Sequence, residues 1–291
     1  ASARASVGSK SMSTDEMMQT MDRRRMVLYS RDRERHTWER YELAKKYNTA
    51  VPDYLPAHWL PNRWGQSWED LVHVEGLDVD SAIKTHDAEW VVRQGEKFYV
   101  SLGFDTLPTS FWKNSSLYAL PANSPYKKNT HASAWHLDLD KDVRSLMSVE
   151  PNTEWYETVH HELGHIFYYQ SYNDKPVLFQ QGANDGFHEA IGDAIAHSVT
   201  PEYLTKIGLF KVAPPKNDKN VINEQMKAAL EKVAFLPFGL MMDKWRWDVF
   251  SGKTKPDEYN KHWWDLRTKY QGIAPPTARG EEFFDPGAKY H

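Results

Sequence analysis

The sequence predicts a mainly α-helical protein with one short β-strand element. Residues 80–103 look helical, residues 219–250 form a long helical stretch, and further segments carry helix start signals. His131–Asp138 is the best candidate for a strand, and it stands just before the helices that carry the most informative residues. An edge strand there could bind a peptide through backbone hydrogen bonds, although an ordinary short hairpin fits the same pattern.

The N-terminal region is predicted to contain a tail, a helix and a loop. Residues 1–14 are rich in Ser and Ala without an acidic residue, which predicts a mobile tail, with a remnant of a targeting segment as the alternative. Residues 15–47 have an Arg-rich helical pattern, in which nearby acidic residues favour a solvated helix face over a nucleic-acid patch. Pro52, Pro56 and Pro61 then break the chain into a loop.

The middle of the chain contains the clearest helix start signals. Residues 105–130 are rich in Pro, Ser and Asn and predict a long loop. Asn152 or Thr153 can cap the helix that follows the predicted strand, and Asn184 begins a second helical segment. Thr200–Glu202 starts a third helix, because Pro is favoured at the first helical position.

The C-terminal region is also predicted to be helical. Pro237 is expected to kink the long helix over residues 219–250, because proline removes a backbone donor and clashes with the preceding turn. A further helix carries Trp263–Arg267. The sequence has no internal repeat, and residues 15–291 are predicted to form a single mainly α domain.

Composition excludes several classes of function. The chain has 291 residues, a formal net charge of -4 and no Cys. This charge gives no basic field for nucleic acid. No apolar run is long enough to predict a membrane span. The absence of Cys excludes a disulfide framework, a Cys nucleophile and a Cys zinc ligand.

His161, Glu162 and His165 form an H-E-x-x-H motif, in which the two histidines lie on one helical face. Both imidazoles can therefore bind one metal ion, while Glu162 can reach a metal-bound water. Catalytic zinc takes three protein ligands and keeps an open fourth position. Glu189, on the following helix, is the natural third ligand. Asp193 is expected to accept a hydrogen bond from one zinc-bound histidine and so fix its tautomer.

The surroundings favour a zinc site over a chance occurrence of the motif. The predicted helix is apolar on the side of the histidines, so these rings face inward, where an unpaired imidazole is costly. Glu189 and Asp193 share one helical face, and two inward acids repel each other unless a cation or an imidazole N–H lies between them. The pattern therefore predicts a mainly α-helical, gluzincin-like zinc metallopeptidase with a short strand beside its active site.

Further segments carry a family resemblance, and they are far more specific than H-E-x-x-H alone. These segments are His131–Trp135, His160–Ile166, Gly182–Asp193, Lys244–Trp247, Trp263–Gly272 and Phe284–His291. They resemble the angiotensin-converting enzyme family of zinc peptidyl dipeptidases, and the resemblance covers roughly residues 41–291. It implies a mainly helical fold with a deep central channel, and the removal of dipeptides from peptide C-termini.

The resemblance implies a role for each residue of the metal site. Zinc would be bound by His161, His165 and Glu189. Glu162 would act as general base and acid, and Asp193 would lie behind the site.

The resemblance also implies residues that bind substrate and an activating chloride. Ala132 and Ala134 would lie on the strand that pairs with the substrate. The other residues are implied to bind the substrate backbone, its C-terminal carboxylate or chloride. They are His131 and His291 for the backbone, Lys289 for the carboxylate, and Trp263 and Arg267 for chloride.

Departures from the family pattern bear on activity. The family's catalytic domains are longer, with a helical lid ahead of the matched segments. Beyond the position of His291 they carry two tyrosines, for the oxyanion and the substrate carboxylate, and an arginine for chloride. The sequence is therefore expected to be an incomplete form that self-associates or needs a complementing chain.

Smaller differences concern single positions. An ungapped match places Lys84 where the family has the glutamine that partners the carboxylate-binding lysine. Asp185 stands where proline is usual. The disulfide of animal members would need Cys near Thr130 and Met147, which favours a bacterial or divergent source.

The predicted activity is zinc-dependent release of dipeptides from oligopeptides with a free C-terminus. Glu162 would take the proton of the zinc-bound water and pass it to the leaving amine. Lys289 favours dipeptide release, because a carboxypeptidase-type homologue of the family lacks this lysine. The alternatives are a catalytically weak or inactive peptidase scaffold acting in binding or regulation, and an unrelated metallo-aminopeptidase. The expected location is secreted, periplasmic or extracellular.

Overall fold

A computed structural model describes residues 40–60, 62–68, 78–212 and 218–287. It confirms the mainly α-helical class. The chain divides into two compact units, which we call the insert unit, Gly76–Asn220, and the flanking unit, Ala1–Glu75 with Val221–His291. The single domain expected over residues 15–291 stays a prediction, and the tail expected over residues 1–14 lies outside the described residues.

The elements of the described ranges are mostly helices with a few short strands. The helices are residues 40–46 (α1), Val79–Ile83 (α2), Ala88–Ser101 (α3), Thr109–Asn114 (α4), Thr153–Tyr172 (α5), Asp185–Ala196 (α6), Pro201–Lys206 (α7), Asp218–Phe250 (α8) and Tyr259–Gln271 (α9). The strands are Leu55–Pro56 (β1), Ser116–Tyr118 (β2), Ser133–His136 (β3), Val143–Val149 (β4) and Ile273–Ala274 (β5). Short 3-10 helices are formed by Ala57–Trp59, Val177–Phe179 and Pro256–Glu258.

The insert unit is built around helix α5, whose apolar face is buried. Val159, Leu163 and Ile166 recur along α5 at helical spacing, and each is 0% exposed. They pack in one cluster with side chains that include Phe98 of α3 and Met147 of β4. Since burying a side chain of this size stabilises the fold by about 1.5–3 kcal/mol, this face fixes the position of α5.

Helix α3 packs against α5 at close range. A Cβ added at Gly95 would lie 2.8 Å from Cδ1 of Leu163, so a larger residue at this position would require the Leu163 side chain to shift. Further along α3, the Tyr99 hydroxyl donates a hydrogen bond of 2.8 Å to the carbonyl of His160. The backbone next to the H-E-x-x-H motif is therefore anchored from behind by α3.

The predicted strand is confirmed as β3, and it lies at the edge of a three-stranded sheet in the order β2-β4-β3. It pairs antiparallel with β4, with Ser133 opposite Leu146 and Trp135 opposite Arg144. Strand β2 pairs parallel with the other side of β4. Within the part of the chain that the structure describes, one side of β3 therefore has no neighbouring strand.

One predicted segment is confirmed and one differs from the structure. The helical character expected over residues 80–103 is confirmed as two helices, α2 and α3. Asp87 starts α3 by accepting a 2.7 Å hydrogen bond from the Trp90 N–H. The loop expected over residues 105–130 contains α4 and β2. Phe111 and Leu117 anchor these elements in the core at 0% and 4% exposure, a tertiary effect that the polar composition of the segment conceals.

The predicted helix starts are confirmed. Asn152, rather than Thr153, caps α5 by accepting a hydrogen bond of 2.8 Å from the Trp155 N–H. Asn184 caps α6 through the Gly186 N–H, at 2.8 Å. Thr200 caps α7, with proline in its first turn.

The flanking unit contains α8 from Val221 onward, α9 and a short parallel pairing of β1 with β5. Helix α8 continues through Pro237, and the expected kink stays a prediction. The expected helix over Trp263–Arg267 is confirmed as part of α9. The core of the flanking unit includes Met241 and Trp245 of α8 with Trp263 of α9.

The segment that follows α9 is tied back to this helix through Asp285. Its carboxylate accepts hydrogen bonds from Trp264 at 2.8 Å, from Asn260 at 3.1 Å and from Arg279 at 3.0 Å. Burial opposes ionisation, but Arg279 and the other donors lower the pKa of Asp285 to about 2. The chain is thereby fixed on α9 shortly before the positions of Lys289 and His291, which lie outside the described residues.

In the described ranges, no helix combines the length and the apolar character needed to cross a bilayer. The expected secreted, periplasmic or extracellular location stays a prediction.

Candidate metal centre

The two histidines of the H-E-x-x-H motif face each other on helix α5. Their Nε2 atoms lie 3.2 Å apart. The side chains of His161 and His165 are 21% and 11% exposed, so both rings are largely withdrawn from solvent. One turn of helix is therefore sufficient to direct two imidazole nitrogens at the same point.

Glu189 of α6 completes a group of three ligand atoms. One carboxylate oxygen lies 3.3 Å from Nε2 of His161, and the other lies 3.8 Å from Nε2 of His165. The three ligand atoms all lie within 4.8 Å of one another. The described ranges contain no second group of three or more His, Cys, Asp or Glu residues that could hold a metal ion.

Two glycines bring α5 and α6 together at this point. A Cβ at Gly164 would lie 2.9 Å from the Cα of Gly192 and 2.9 Å from the Tyr99 hydroxyl. A Cβ at Gly192 would lie 2.7 Å from Nδ1 of His161. Contacts this short do not occur for real Cβ atoms, so neither position accepts a side chain without movement. The ligands of the two helices converge because both backbones lack side chains at the crossing.

A hydrogen-bonding partner lies behind each histidine. Asp193 approaches Nδ1 of His161 at 3.2 Å, in the place expected for the residue that fixes its tautomer. His188 lies 3.2 Å from Nδ1 of His165, and its own Nε2 lies 3.1 Å from the hydroxyl of Tyr172. His188 was not predicted as a functional residue. It directly precedes Glu189, but no spacing rule marks it, because its partner is on another helix.

The electrostatic environment distinguishes the acids of the centre. Burial raises the pKa of Glu162 to about 7, and its Oε2 has no hydrogen-bond partner in the described part of the chain. The hydrogen bond with His161 lowers the pKa of Glu189 below its usual value. Glu162 is therefore suited to exchange a proton near neutral pH, while Glu189 is suited to remain an anionic ligand.

The pKa values of the two histidines are shifted in opposite directions. Burial lowers the pKa of His165 to about 4, which keeps its ring neutral. Burial alone would lower the pKa of His161, but the hydrogen bond to Glu189 and the neighbouring carboxylates raise it above its usual value. The carboxylates thus stabilise positive charge at the ring of His161, and the same field would stabilise a bound cation.

The predicted substrate strand lies beside α5. Ala132 and Ala134 are partly buried against the core of the insert unit. The Tyr169 hydroxyl of α5 donates a 3.4 Å hydrogen bond to the Ala134 carbonyl, which ties β3 to the helix that carries the motif. His131 is exposed just before β3, and its N–H donates to the side chain of Asn129.

The remaining predicted residues are not part of this group. Trp263 and Arg267 belong to the flanking unit, and Lys289 and His291 lie outside the described residues. Lys84, the ungapped match for a family glutamine, is 64% exposed and pairs with Asp80 at 3.4 Å. This position suits a surface ion pair better than a substrate contact.

Comparisons with known proteins point to one family. The family model described as angiotensin-converting enzyme matches residues 10–291. The angiotensin-converting enzyme of Rattus norvegicus is 45% identical over 271 residues, which cover 88% of this chain and 20% of that protein. That of Theromyzon tessulatum is 40% identical over 273 residues, covering 88% of this chain and 43% of that protein. That of Haematobia irritans exigua is 37% identical over 269 residues, which cover 88% of this chain and 44% of that protein. The chain therefore spans less than half the length of these relatives.

Substitution Gly192→Ala is predicted to weaken metal binding without unfolding the chain. The added methyl group needs space that the His161 ring occupies, so the ring must shift from the position in which its Nδ1 meets Asp193. Losing such support typically costs about tenfold to a hundredfold in metal affinity. The measurement is the zinc dissociation constant from competition with a chelator. Gly239→Ala in α8 is the control, because its nearest new contact is an ordinary 3.5 Å. An unchanged constant for Gly192→Ala would show that the crossing does not set the ligand geometry.

Proposed function

Because this chain belongs to the angiotensin-converting enzyme family, we propose that it is a zinc-dependent peptidyl dipeptidase, which releases dipeptides from oligopeptides with a free C-terminus. The observation that carries the proposal is the convergence of His161, His165 and Glu189 beside the buried Glu162. Two imidazoles, one carboxylate and an adjacent proton acceptor are the set of groups that metal-assisted hydrolysis of a peptide requires.

The residues present fit a zinc ion. Nε2 of His161, Nε2 of His165 and a Glu189 oxygen are donor atoms that zinc prefers, and three protein ligands leave a fourth position open. The Asp193 carboxylate at Nδ1 of His161 favours the tautomer with a free Nε2 lone pair, and Nδ1 of His188 can accept a hydrogen bond from Nδ1–H of His165 when that ring has the same tautomer. Zinc bound there would polarise the scissile carbonyl and lower the pKa of a bound water to about 7.

Glu162 would move the proton during hydrolysis. Its carboxylate accepts a proton as the water oxygen bonds to the scissile carbonyl carbon. It then gives that proton to the amine nitrogen as the C–N bond breaks. Burial of Glu162, which is 7% exposed, supports this role because it places the carboxyl pKa near the pH at which both transfers must occur.

Strand β3 would position the substrate. Its open side, in the described part of the chain, can pair with an extended peptide through backbone hydrogen bonds. Ala132 and Ala134 would provide this pairing. His131 and His291 would contact the substrate backbone, and Lys289 would bind its C-terminal carboxylate. These roles come from the family resemblance, and they would set the cut two residues from the C-terminus.

An anion site in the flanking unit would accompany this activity. Arg267 and Trp263 are 3% and 0% exposed. One Arg267 nitrogen donates to the Arg63 carbonyl at 3.1 Å, but Nε and Nη2 of Arg267 and Nε1 of Trp263 have no acceptor among the described residues. Buried N–H groups without an acceptor are costly, and a chloride ion would satisfy them.

The first prediction of this proposal concerns the metal. The parent chain should bind one zinc ion, and Glu189→Ala should lose most of it, because the only carboxylate ligand of the group is removed. Metal analysis after dialysis measures this. Glu154→Ala, at an exposed position in the first turn of α5, is the control and should retain zinc. Full zinc retention by Glu189→Ala would contradict the ligand assignment.

The second prediction concerns turnover. Glu162→Gln should retain zinc but hydrolyse an N-terminally blocked tripeptide with a free C-terminus about a hundredfold to ten-thousandfold more slowly, because Gln cannot carry the proton. The same tripeptide with an amidated C-terminus should not be cut by either protein. Activity of Glu162→Gln within a few-fold of the parent would show that Glu162 is not the base. A parent that binds the peptide without cutting it would favour the alternative of a binding or regulatory role.

The third prediction concerns the anion. Chloride should raise the melting temperature of the parent above its value in gluconate at equal ionic strength, because an ion that binds only the folded state stabilises it. Arg267→Gln should remove this difference, whereas Arg93→Gln, at an exposed position on α3, should preserve it. Equal melting temperatures of the parent in the two salts would contradict an anion site at Arg267.

A further inference from the structure

His188 and Tyr172 form a hydrogen-bonded chain behind the candidate ligand His165. His188 reaches Nδ1 of His165 with its own Nδ1, at 3.2 Å, and Tyr172 with its Nε2, at 3.1 Å. Asp193 supports His161 with a carboxylate, whereas an imidazole ring, that of His188, takes the corresponding place behind His165. We propose that His188 is a positioning residue that orients His165 for zinc and that Tyr172 fixes the proton of His188. The inference rests on the proposed function, since it concerns the same zinc site.

Counting the ring protons leaves one arrangement for the hydrogen bonds that link His165, His188 and Tyr172. A neutral imidazole carries one N–H, so a ring that offers its Nε2 lone pair to a metal must carry its proton on Nδ1. Nδ1–H of His165 then donates to Nδ1 of His188. The proton of His188 must be on Nε2, from which it donates to the Tyr172 hydroxyl oxygen. The reverse direction would place a proton on Nε2 of His165 and block the metal.

The surroundings hold the ring of His188 in this orientation. Its centroid lies 4.6 Å from that of Tyr168, 5.0 Å from Tyr169 and 6.1 Å from Tyr172. On another side, a Cβ at Gly182 would lie 2.7 Å from Cδ2 of His188. The three tyrosines all belong to α5, and Gly182 precedes α6. The ring is therefore packed between the helix that carries two of the zinc ligands and the segment that leads into the helix that carries the third.

The two histidine ligands would consequently be supported by different chemistry. Asp193 brings a carboxylate to His161, whereas the His188–Tyr172 pair brings a ring nitrogen to His165. Glu162, Glu189 and Asp193 already bring three carboxylates close to the centre. His188 orients the ring of His165 without adding a fourth. The position of the acceptor nitrogen, rather than any charge, is what His188 contributes.

A set of three variants tests this role on the full chain. His188→Leu removes the acceptor, His188→Asn retains an acceptor oxygen near the place of Nδ1, and Tyr172→Phe removes the partner of Nε2. Tyr168→Phe is the control, because it removes a neighbouring hydroxyl that accepts from the Ala183 N–H and not from His188. Zinc dissociation constants are measured by chelator competition. Proton–nitrogen correlation spectra of the zinc-free proteins show which nitrogen of His165 carries the proton.

We expect His188→Leu to weaken zinc binding about tenfold to a hundredfold, as the loss of a ligand's supporting partner does. His188→Asn should recover most of this loss, and Tyr172→Phe should show a smaller one. The proton of His165 should reside on Nδ1 in the parent and in Tyr168→Phe, and it should redistribute in His188→Leu. Circular dichroism shows whether each variant is folded like the parent. If His188→Leu does not fold, the zinc affinity of Tyr172→Phe provides the test.

The measurements distinguish a failure of the proposed function from a failure of the inference about His188. A parent that does not bind zinc would overturn the proposed function and this inference together. A parent that binds zinc, with His188→Leu binding equally well and with its His165 tautomer unchanged, would overturn this inference alone. So would a His188→Asn variant as weak as His188→Leu, because the acceptor atom would then not be the cause.

Discussion

The close crossing of α5 and α6 at Gly164 and Gly192 is the constraint on which the candidate centre depends. Glu189 comes within 3.3 Å of His161 because the two backbones approach to a distance that no Cβ would permit. Metal–ligand distances in proteins stay within about 0.2 Å of characteristic values, so a separation of the helices would carry Glu189 away from the point at which the two histidines meet. The packing of α3 behind α5, through Gly95 and Tyr99, holds one side of this crossing in place.

The same crossing gives chemically similar groups different properties. Glu162 lies on the inner side of α5 at 7% exposure, and burial raises its pKa to about 7. Glu189 lies on α6 with a side chain that is 70% exposed, and its contact with His161 keeps it anionic. Two glutamates can therefore take the roles of proton carrier and ligand. The fold sets these roles through burial at Glu162 and through the contact with His161 at Glu189, rather than through residue type.

Much of the fold and of the metal group could be predicted from the sequence, because both depend on short-range patterns. One helical turn relates His161 to His165, and the caps at Asn152 and Asn184 are local signals. The helix within the predicted loop could not be found, since it depends on burial of Phe111 in the core. His188 was missed for a related reason, because its significance comes from a partner 23 residues away on another helix.

A crystal structure of the zinc-loaded chain, with anomalous differences recorded at the zinc absorption edge, tests the central claim most directly. The account predicts one peak in the anomalous difference map. This peak should lie at bonding distance, about 2.0–2.2 Å, from Nε2 of His161, Nε2 of His165 and a carboxylate oxygen of Glu189. Glu162 and His188 should lie outside this bonding distance. A peak elsewhere, or a zinc ion bound by His188 or Glu162 in place of Glu189, would contradict it.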